Sequence, residues 1–399
     1  MQCRSSRGSS AGALWATRLG RPVSLGIVEP DAIVLVGTTK GAFIVRHRDG
    51  DAPDVSGPHF PGSEIYALTL DQRAPTPRVI AGVVSNHWGP GIAWSDDLGG
   101  TWHDPPEANI AFPEDTGAAL ARVWQLEPAG ADEPGVVYAG VEPAALFRSS
   151  DGGTSYELVR GLWDHPHRPE WQPGGGGLCL HTILRDDVDP AAMWIAISAA
   201  GVYRTTDGGE TWEASNRGIK APFMPGPEPE HGQCVHKMAR HADRPDRLML
   251  QHHWGIYRSD DRGGSWTSVG EAIPADPPPV GSEPRPFGFP IVQHPHDPDT
   301  VYVFPLGSDM QRWTVDGRCA VYRSRDAGAT WEPLTKGLPQ ENAYLTVLRD
   351  GFCADTRDPA GLWFGTRTGE LFASHDEGES WGCVAQHLPP IVCVKAYAT

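Results

Sequence analysis

The sequence predicts an all-β chain folded as a single seven-bladed β-propeller whose ring is closed by its C-terminal strand. Three observations carry this. An eight-residue turn recurs six times, a β-hairpin precedes each copy with one hairpin to spare, and the last strand has no partner within its own repeat.

The first turn reads Ser95-Asp-Asp97-Leu-Gly99-Gly-Thr101-Trp102. The same frame returns around Asp151, Asp207, Asp261, Asp326 and Asp376, at spacings from Asp97 onward of 54, 56, 54, 65 and 50 residues. A period near fifty is that of a four-stranded blade. Each position has a physical task. The aspartate accepts backbone N–H bonds across a tight turn, and the glycine supplies the positive φ that closes it. The closing aromatic starts the outgoing strand and buries against a neighbouring blade. These six aspartates are therefore expected to be structural.

The hairpins follow the same rhythm, as in Val136–Gly140 with Ala145–Arg148 and Met193–Ile197 with Gly201–Arg204. Ile33–Gly37 with Gly41–Val45 is a seventh hairpin, whose turn Arg46-His-Arg-Asp-Gly50 has lost the pattern. That first unit lacks an inner strand, while Ile391-Val-Cys-Val-Lys395 is left over at the end. Pairing the two closes the ring and removes both open edges. The propeller is thus expected over residues 31–399, with residues 1–30 as a disordered tail. Arg4, Arg7, Arg18 and Arg21 lie in that tail, and the latter two break any apolar run of the secretory kind.

Composition narrows the function. The formal charge of −17 repels phosphate backbones, which argues against nucleic acid as a partner. No apolar run is long enough to span a bilayer. Seven cysteines without a Cys-x-x-Cys pair point to a reducing compartment, so a cytoplasmic location is expected.

In a propeller, the loops leading into the inner strands and those between second and third strands share one face; the repeated turns lie on the other. Aligning inner strands by their ends places Tyr66, Trp124, His181 and His236 at one level, with Arg122 near the same top. Cys179 and Cys234 precede the two histidines by two residues, on the same strand face. The second loop set adds His87-Trp88-Gly89 and His252-His253-Trp254. His87, His181, His236 and His253 are expected to converge on the channel mouth, where they could hold a divalent metal (Zn or Mn), contact substrate, or simply be hydrogen-bonded. Two long lead-in loops frame them. One runs from Trp163 through Asp164 and Glu170 to Trp171 and a glycine run, Gly174–Gly177; the other spans 214–233. An insertion, Pro305–Ala320, holds Asp309, Arg312 and Trp313. Unusual loop length on this face is where function is normally grafted.

The repeated turns resemble the Asp-box, or bacterial-neuraminidase, repeats of the sialidase superfamily, over residues 31–399. The chain also looks like bacterial single-propeller proteins labelled glycosyl hydrolase or exo-alpha-sialidase. The resemblance implies a glycoside hydrolase-like propeller binding a small or carbohydrate ligand at the channel mouth. Asp164 and Glu170 would be its carboxylate pair, aided by His181 and His236. Arg122, His87, Trp88, Trp124, Trp171, His253 and Trp254 would contact the ligand. Two departures count against exo-sialidase activity itself: the sialidases are six-bladed, and no Arg-Ile-Pro motif precedes the first box. The alternatives are a metal-dependent lyase or hydrolase built on the four histidines, and a non-catalytic scaffold that docks a protein partner.

Overall fold

Seven antiparallel sheets succeed one another along the chain, six of four strands and one of three. The computed structural model describes residues 31–105, 107–221, 226, 228–274 and 285–399, so the expected N-terminal tail lies outside the described residues. Blade 1 is ordered Ile391–Ala398, Ala32–Thr38, Gly41–His47, Asp54–His59. The last strand of the chain is therefore the innermost strand of the first blade, pairing Ala32↔Ala398 through Val36↔Val394. Blade 2 has three strands, Glu64–Asp71, Arg78–Ser85 and Gly89–Ser95, with His103 bridging Trp94 as the remnant of a fourth. Blades 3 to 7 begin at Arg122, Leu180, Val235, Phe287 and Phe352. Among the described residues no helix is long and apolar enough to cross a membrane.

The boxes fold as their chemistry requires. Ser95 Oγ donates to Asp97 Oδ1 at 2.8 Å and accepts the Gly99 amide at 2.8 Å. The Thr101 amide and hydroxyl donate to the two Asp97 oxygens, each at 2.8 Å. The Thr101 amide, followed by the Ser95 and Thr101 hydroxyls, holds the Asp97 carboxyl down at about 2. Gly99 has φ +85, and a Cβ there would lie 2.5 Å from Ile44 Cδ1 of blade 1. Further round the ring two of the closing tryptophans reach back one blade: Trp266 Nε1 donates to Ser215 O at 2.7 Å and Trp331 Nε1 to Val269 O at 2.8 Å.

The hydrophobic core lies between blades. Tyr302 and Phe304 of blade 6 meet Phe352, Phe364 and Trp381 of blade 7 in one cluster, and Leu146 of blade 3 meets Ile195 and Tyr203 of blade 4 in another. Each such large side chain contributes roughly 1.5–3 kcal/mol on burial, so ring closure is set by packing as much as by strand pairing.

Candidate functional site

In six consecutive blades the innermost strand slips register by one residue at its upper end. The residue between the two registers is Val392 in blade 1, Trp124 in blade 3, His181 in blade 4 and His236 in blade 5. In blades 2 and 6 the slip spans Ile65–Tyr66 and Phe289–Pro290. A bulge leaves its extra residue unpaired and re-aims the side chain. Tyr66, Trp124, His236, Phe289 and Val392 all line one cavity of about 730 Å³ at the channel mouth. The remaining wall comes from both loop sets, including Gly175–Gly177, His253, Arg312 and Arg367, and no Asp-box residue takes part.

The cavity is cationic although the protein is acidic overall. Arg122 is balanced, donating to Glu64 at 2.8 Å and Glu142 at 3.3 Å with its guanidinium 4.5 Å from the Tyr66 ring centroid. Glu142 also accepts from Trp124 Nε1 at 3.0 Å. Gly177, at φ +94, lies so close that a Cβ would sit 2.1 Å from Glu142 Oε1; the glycine run lets the backbone close over this carboxylate. Arg312, Arg349 and Arg367, by contrast, have no carboxylate partner among the described residues. Arg349 is only 8 % exposed, its Nε has no hydrogen-bond partner, and its guanidinium sits between Phe289 (5.4 Å) and Trp124 (5.7 Å). A buried guanidinium without an anion is costly unless a ligand supplies one.

One cavity-lining carboxylate, Asp350, ties the channel across. Asp350 of blade 7 accepts from Lys237 of blade 5 at 2.8 Å and from Lys395 of the closing strand at 2.9 Å. Burial works to raise the Asp350 carboxyl, but the two ammonium groups outweigh it and hold it well below the usual carboxylate range. Lys237 also reaches Gln125, which donates to Glu127 at 3.2 Å; burial raises the Glu127 carboxyl.

On the blade 5 side, Cys234, His236 and His253 gather their ligand-type atoms within 4.8 Å of one another. Cys234 Sγ is 3.7 Å from His236 Nε2, and His236 Nδ1 is 2.6 Å from Gly288 O. His253 Nε2 is 3.5 Å from Asp309 Oδ2. Burial, with Arg349 beside it, lowers the His236 imidazole well below its ordinary value, and burial lowers His253 against the pull of Asp309.

BNR/Asp-box repeat profiles match residues 203–214 and 256–269, which are the turns around Asp207 and Asp261. The chain is an Asp-box propeller. Xyloglucanase Xgh74A of Acetivibrio thermocellus is 25% identical over 277 residues, 64% of this chain and 30% of its own length. A probable oligoxyloglucan-reducing end-specific xyloglucanase of Neosartorya fischeri is 27% identical over 217 residues, 52% of this chain and 22% of its own. The Asp-box propeller thus spans less than a third of the curated relatives it matches. The GH74 xyloglucanase structure from Xanthomonas campestris superposes with a TM-score of 0.61 at 17% identity, covering 90% of this chain and 53% of that one. The periplasmic gluconolactonase of Pseudomonas aeruginosa gives 0.51 at 13%, covering 92% and 99%. Both structural likenesses concern the fold.

Several expected site residues of the Asp-box propeller lie elsewhere. His181 does not face the mouth: it is fully buried, with Nε2 3.0 Å from Val235 O of the next blade and Nδ1 3.0 Å from Thr182 Oγ1. His87 and Trp88 stand in solvent at a hairpin tip, Trp88 at 92 % exposure, so the four-histidine convergence reduces to His236 and His253. Asp164 and Glu170 are exposed and outside the cavity. Their segment runs along blade 4: a Cβ on Gly161 would lie 2.2 Å from the carbonyl oxygens of Gly209 and Glu210, and Glu170 pairs with His231 at 3.3 Å. Trp171 is buried and donates to Tyr203 OH at 2.8 Å, which removes it from any ligand surface. Trp254 is half-buried, 5.9 Å from the His253 ring and outside the cavity lining. Arg122, Trp124, His236 and His253 are at the mouth as expected. Arg349 and Arg367 were not anticipated. Blade 7's inner strand, Phe352–Ala354, is too short to align by its ends, so Arg349 just ahead of it escaped notice.

Proposed function

We propose that this glycoside hydrolase-like propeller binds a small carbohydrate bearing an anionic group, a sugar acid, in the channel-mouth cavity. The observation that carries the reading is Arg349, a buried guanidinium between two aromatic rings with no anion of its own, alongside Arg312 and Arg367. A carboxylate would satisfy these donors through charge-assisted hydrogen bonds. The aromatic wall of Tyr66, Trp124 and Phe289 supplies apolar ring faces against which a sugar can stack. Binding is favoured over two-carboxylate hydrolysis, because Asp350 is locked by two lysines and Glu142 by Arg122 and Trp124.

Titration calorimetry with glucuronate, galacturonate, glucose and a neutral xyloglucan oligosaccharide tests this. Uronates should bind, more weakly as salt rises, and Arg349→Met should weaken them roughly tenfold to a hundredfold. Neutral sugars bound as tightly as uronates, or uronate affinity unchanged in Arg349→Met, would overturn the reading.

A further inference from the structure

We infer that Cys234, His236 and His253 form a zinc site in the wall of this cavity, with a fourth coordination position open to the cavity.

The three residues come from two adjoining strands of one blade. Cys234 and His236 flank Val235 at the start of the inner strand, so their side chains share a face. His253 follows the next strand, Leu248–His252, and its amide donates to Cys234 O at 3.0 Å. That bond fixes the hairpin tip against the Cys-x-His pair. A tetrahedral zinc with bonds of about 2.3 Å to sulfur and about 2.0 Å to nitrogen separates those two ligands by roughly 3.5 Å. Cys234 Sγ and His236 Nε2 are 3.7 Å apart, and the whole trio fits within 4.8 Å. Small side-chain rotations would therefore complete the site.

The surrounding contacts are those a metal-binding imidazole requires. His236 Nδ1 sits 2.6 Å from Gly288 O, which makes Nδ1 the protonated donor and turns the Nε2 lone pair toward Cys234. Gly288 is needed there, since a Cβ on it would lie 2.8 Å from Phe304 O and displace that carbonyl. Asp309 Oδ2 lies 3.5 Å from His253 Nε2, so Nδ1 is the nitrogen that Asp309 leaves to a metal. Charge also balances locally: the added +2 is met by the Cys234 thiolate and the Asp309 carboxylate, leaving the arginines free for the ligand. Binding displaces the proton of the Cys234 thiol, since the thiolate is the form that ligates a metal. The mix of one thiolate and two imidazoles suits zinc over magnesium or calcium, which take oxygen. Three protein ligands and an open position are the arrangement of a reactive zinc rather than a purely structural one.

The test uses the full-length chain, stripped with a chelator and titrated with Zn²⁺ or Co²⁺. One Co²⁺ per chain should bind, displacing the Cys234 thiol proton, with a thiolate-to-cobalt charge-transfer band and tetrahedral visible absorption, and Zn²⁺ should bleach that spectrum by displacing the cobalt. Cys234→Ser should abolish the charge-transfer band, and His236→Gln should weaken metal binding at least tenfold, with each variant's melting temperature confirming that it folds. Cys179→Ser, the matching change one blade away, should leave the titration unchanged. Absence of stoichiometric cobalt, or a charge-transfer band that survives Cys234→Ser, would sink the site. So would alkylation of Cys234 at a rate that Zn²⁺ does not slow. Uronate binding is measured separately on the metal-free protein and on Arg349→Met, whose metal stoichiometry should be unchanged, so the failure of either proposal is visible without the other.

Discussion

Blade 4 and blade 5 carry the same three-residue pattern at the same level, Cys179-Leu-His181 and Cys234-Val-His236, yet they end in different chemical states. Both histidines occupy the bulge of an inner strand and both bond a carbonyl of the next blade. In blade 4 the second ring nitrogen is also used, by Thr182, and Cys179 beneath it is fully buried. In blade 5 the position after the histidine is Lys237, whose ammonium is drawn down the channel to Asp350, so the second nitrogen of His236 is left facing a half-buried thiol. A hydroxyl one residue along separates a histidine whose two ring nitrogens both meet oxygen atoms from one whose second nitrogen faces a thiol. Spacing places a side chain; its immediate neighbours decide what is left for it to do.

The largest perturbation removes the ring on which both blades depend. Deleting residues 390–399 takes away the inner strand of blade 1 and Lys395 with it, exposing two strand edges. The truncated protein should aggregate or lose its cooperative melt; a monomer with unchanged melting would mean that neither blade relies on closure. Next comes His181→Ala, which strips the Val235 carbonyl of its partner and leaves a cavity. We expect a loss of about 2–4 kcal/mol by denaturant titration, with uronate affinity intact. His236→Ala should cost less, because one side of that ring already borders the cavity, and equal losses would erase the distinction between the blades.

A smaller effect is expected from pH. Burial, then Arg349, depress the His181 imidazole well below its ordinary 6.5, so the unfolded chain takes up a proton that the folded chain refuses. This contribution to stability is fully present above about pH 6.5 and declines below it, by at most about 1.4 kcal/mol per pH unit. His181→Gln should flatten the decline measured between pH 6.5 and 5, whereas an unchanged slope would assign it to other groups. The mildest probe costs no stability. Brief alkylation of the native protein should label Cys234 and the exposed Cys383 while sparing Cys179, whose thiol burial pushes up to about 12. Matching protection of Cys179 and Cys234 would place both thiols in the same environment.

The ring was legible because its signals are local and repeated: a box whose hydrogen bonds close within eight residues, and a hairpin that alternates around it. The leftover strand at Ile391 could be matched to the missing one in blade 1 by counting alone. The site was half legible for the same reason. Tyr66, Trp124, His181 and His236 were correctly set at one level by strand alignment, but which of them turns inward depends on contacts from the next blade, as with Val235 and His181. The long loops misled most. Asp164 and Glu170 lie where a loop of that length could cover the mouth, yet Leu162 and Trp171 bury into the blade core and carry the segment away. Arg349 was invisible because its strand is short, not because its chemistry is unusual.

The slipped residue at the top of six inner strands has a consequence for how such a site can diversify. Since the bulge residue is unpaired with the adjacent strand, its side chain can be exchanged without disturbing the ladder that holds the blade. Positions 66, 124, 236, 289 and 392 therefore behave as separate settings around one rim, each altered by a single codon. The present settings are phenol, indole, imidazole, phenyl and isopropyl. A library confined to these five positions would sample new ligand chemistries without altering the strand pairing of the blades, its stability cost arising from packing at the buried members Trp124, His236, Phe289 and Val392.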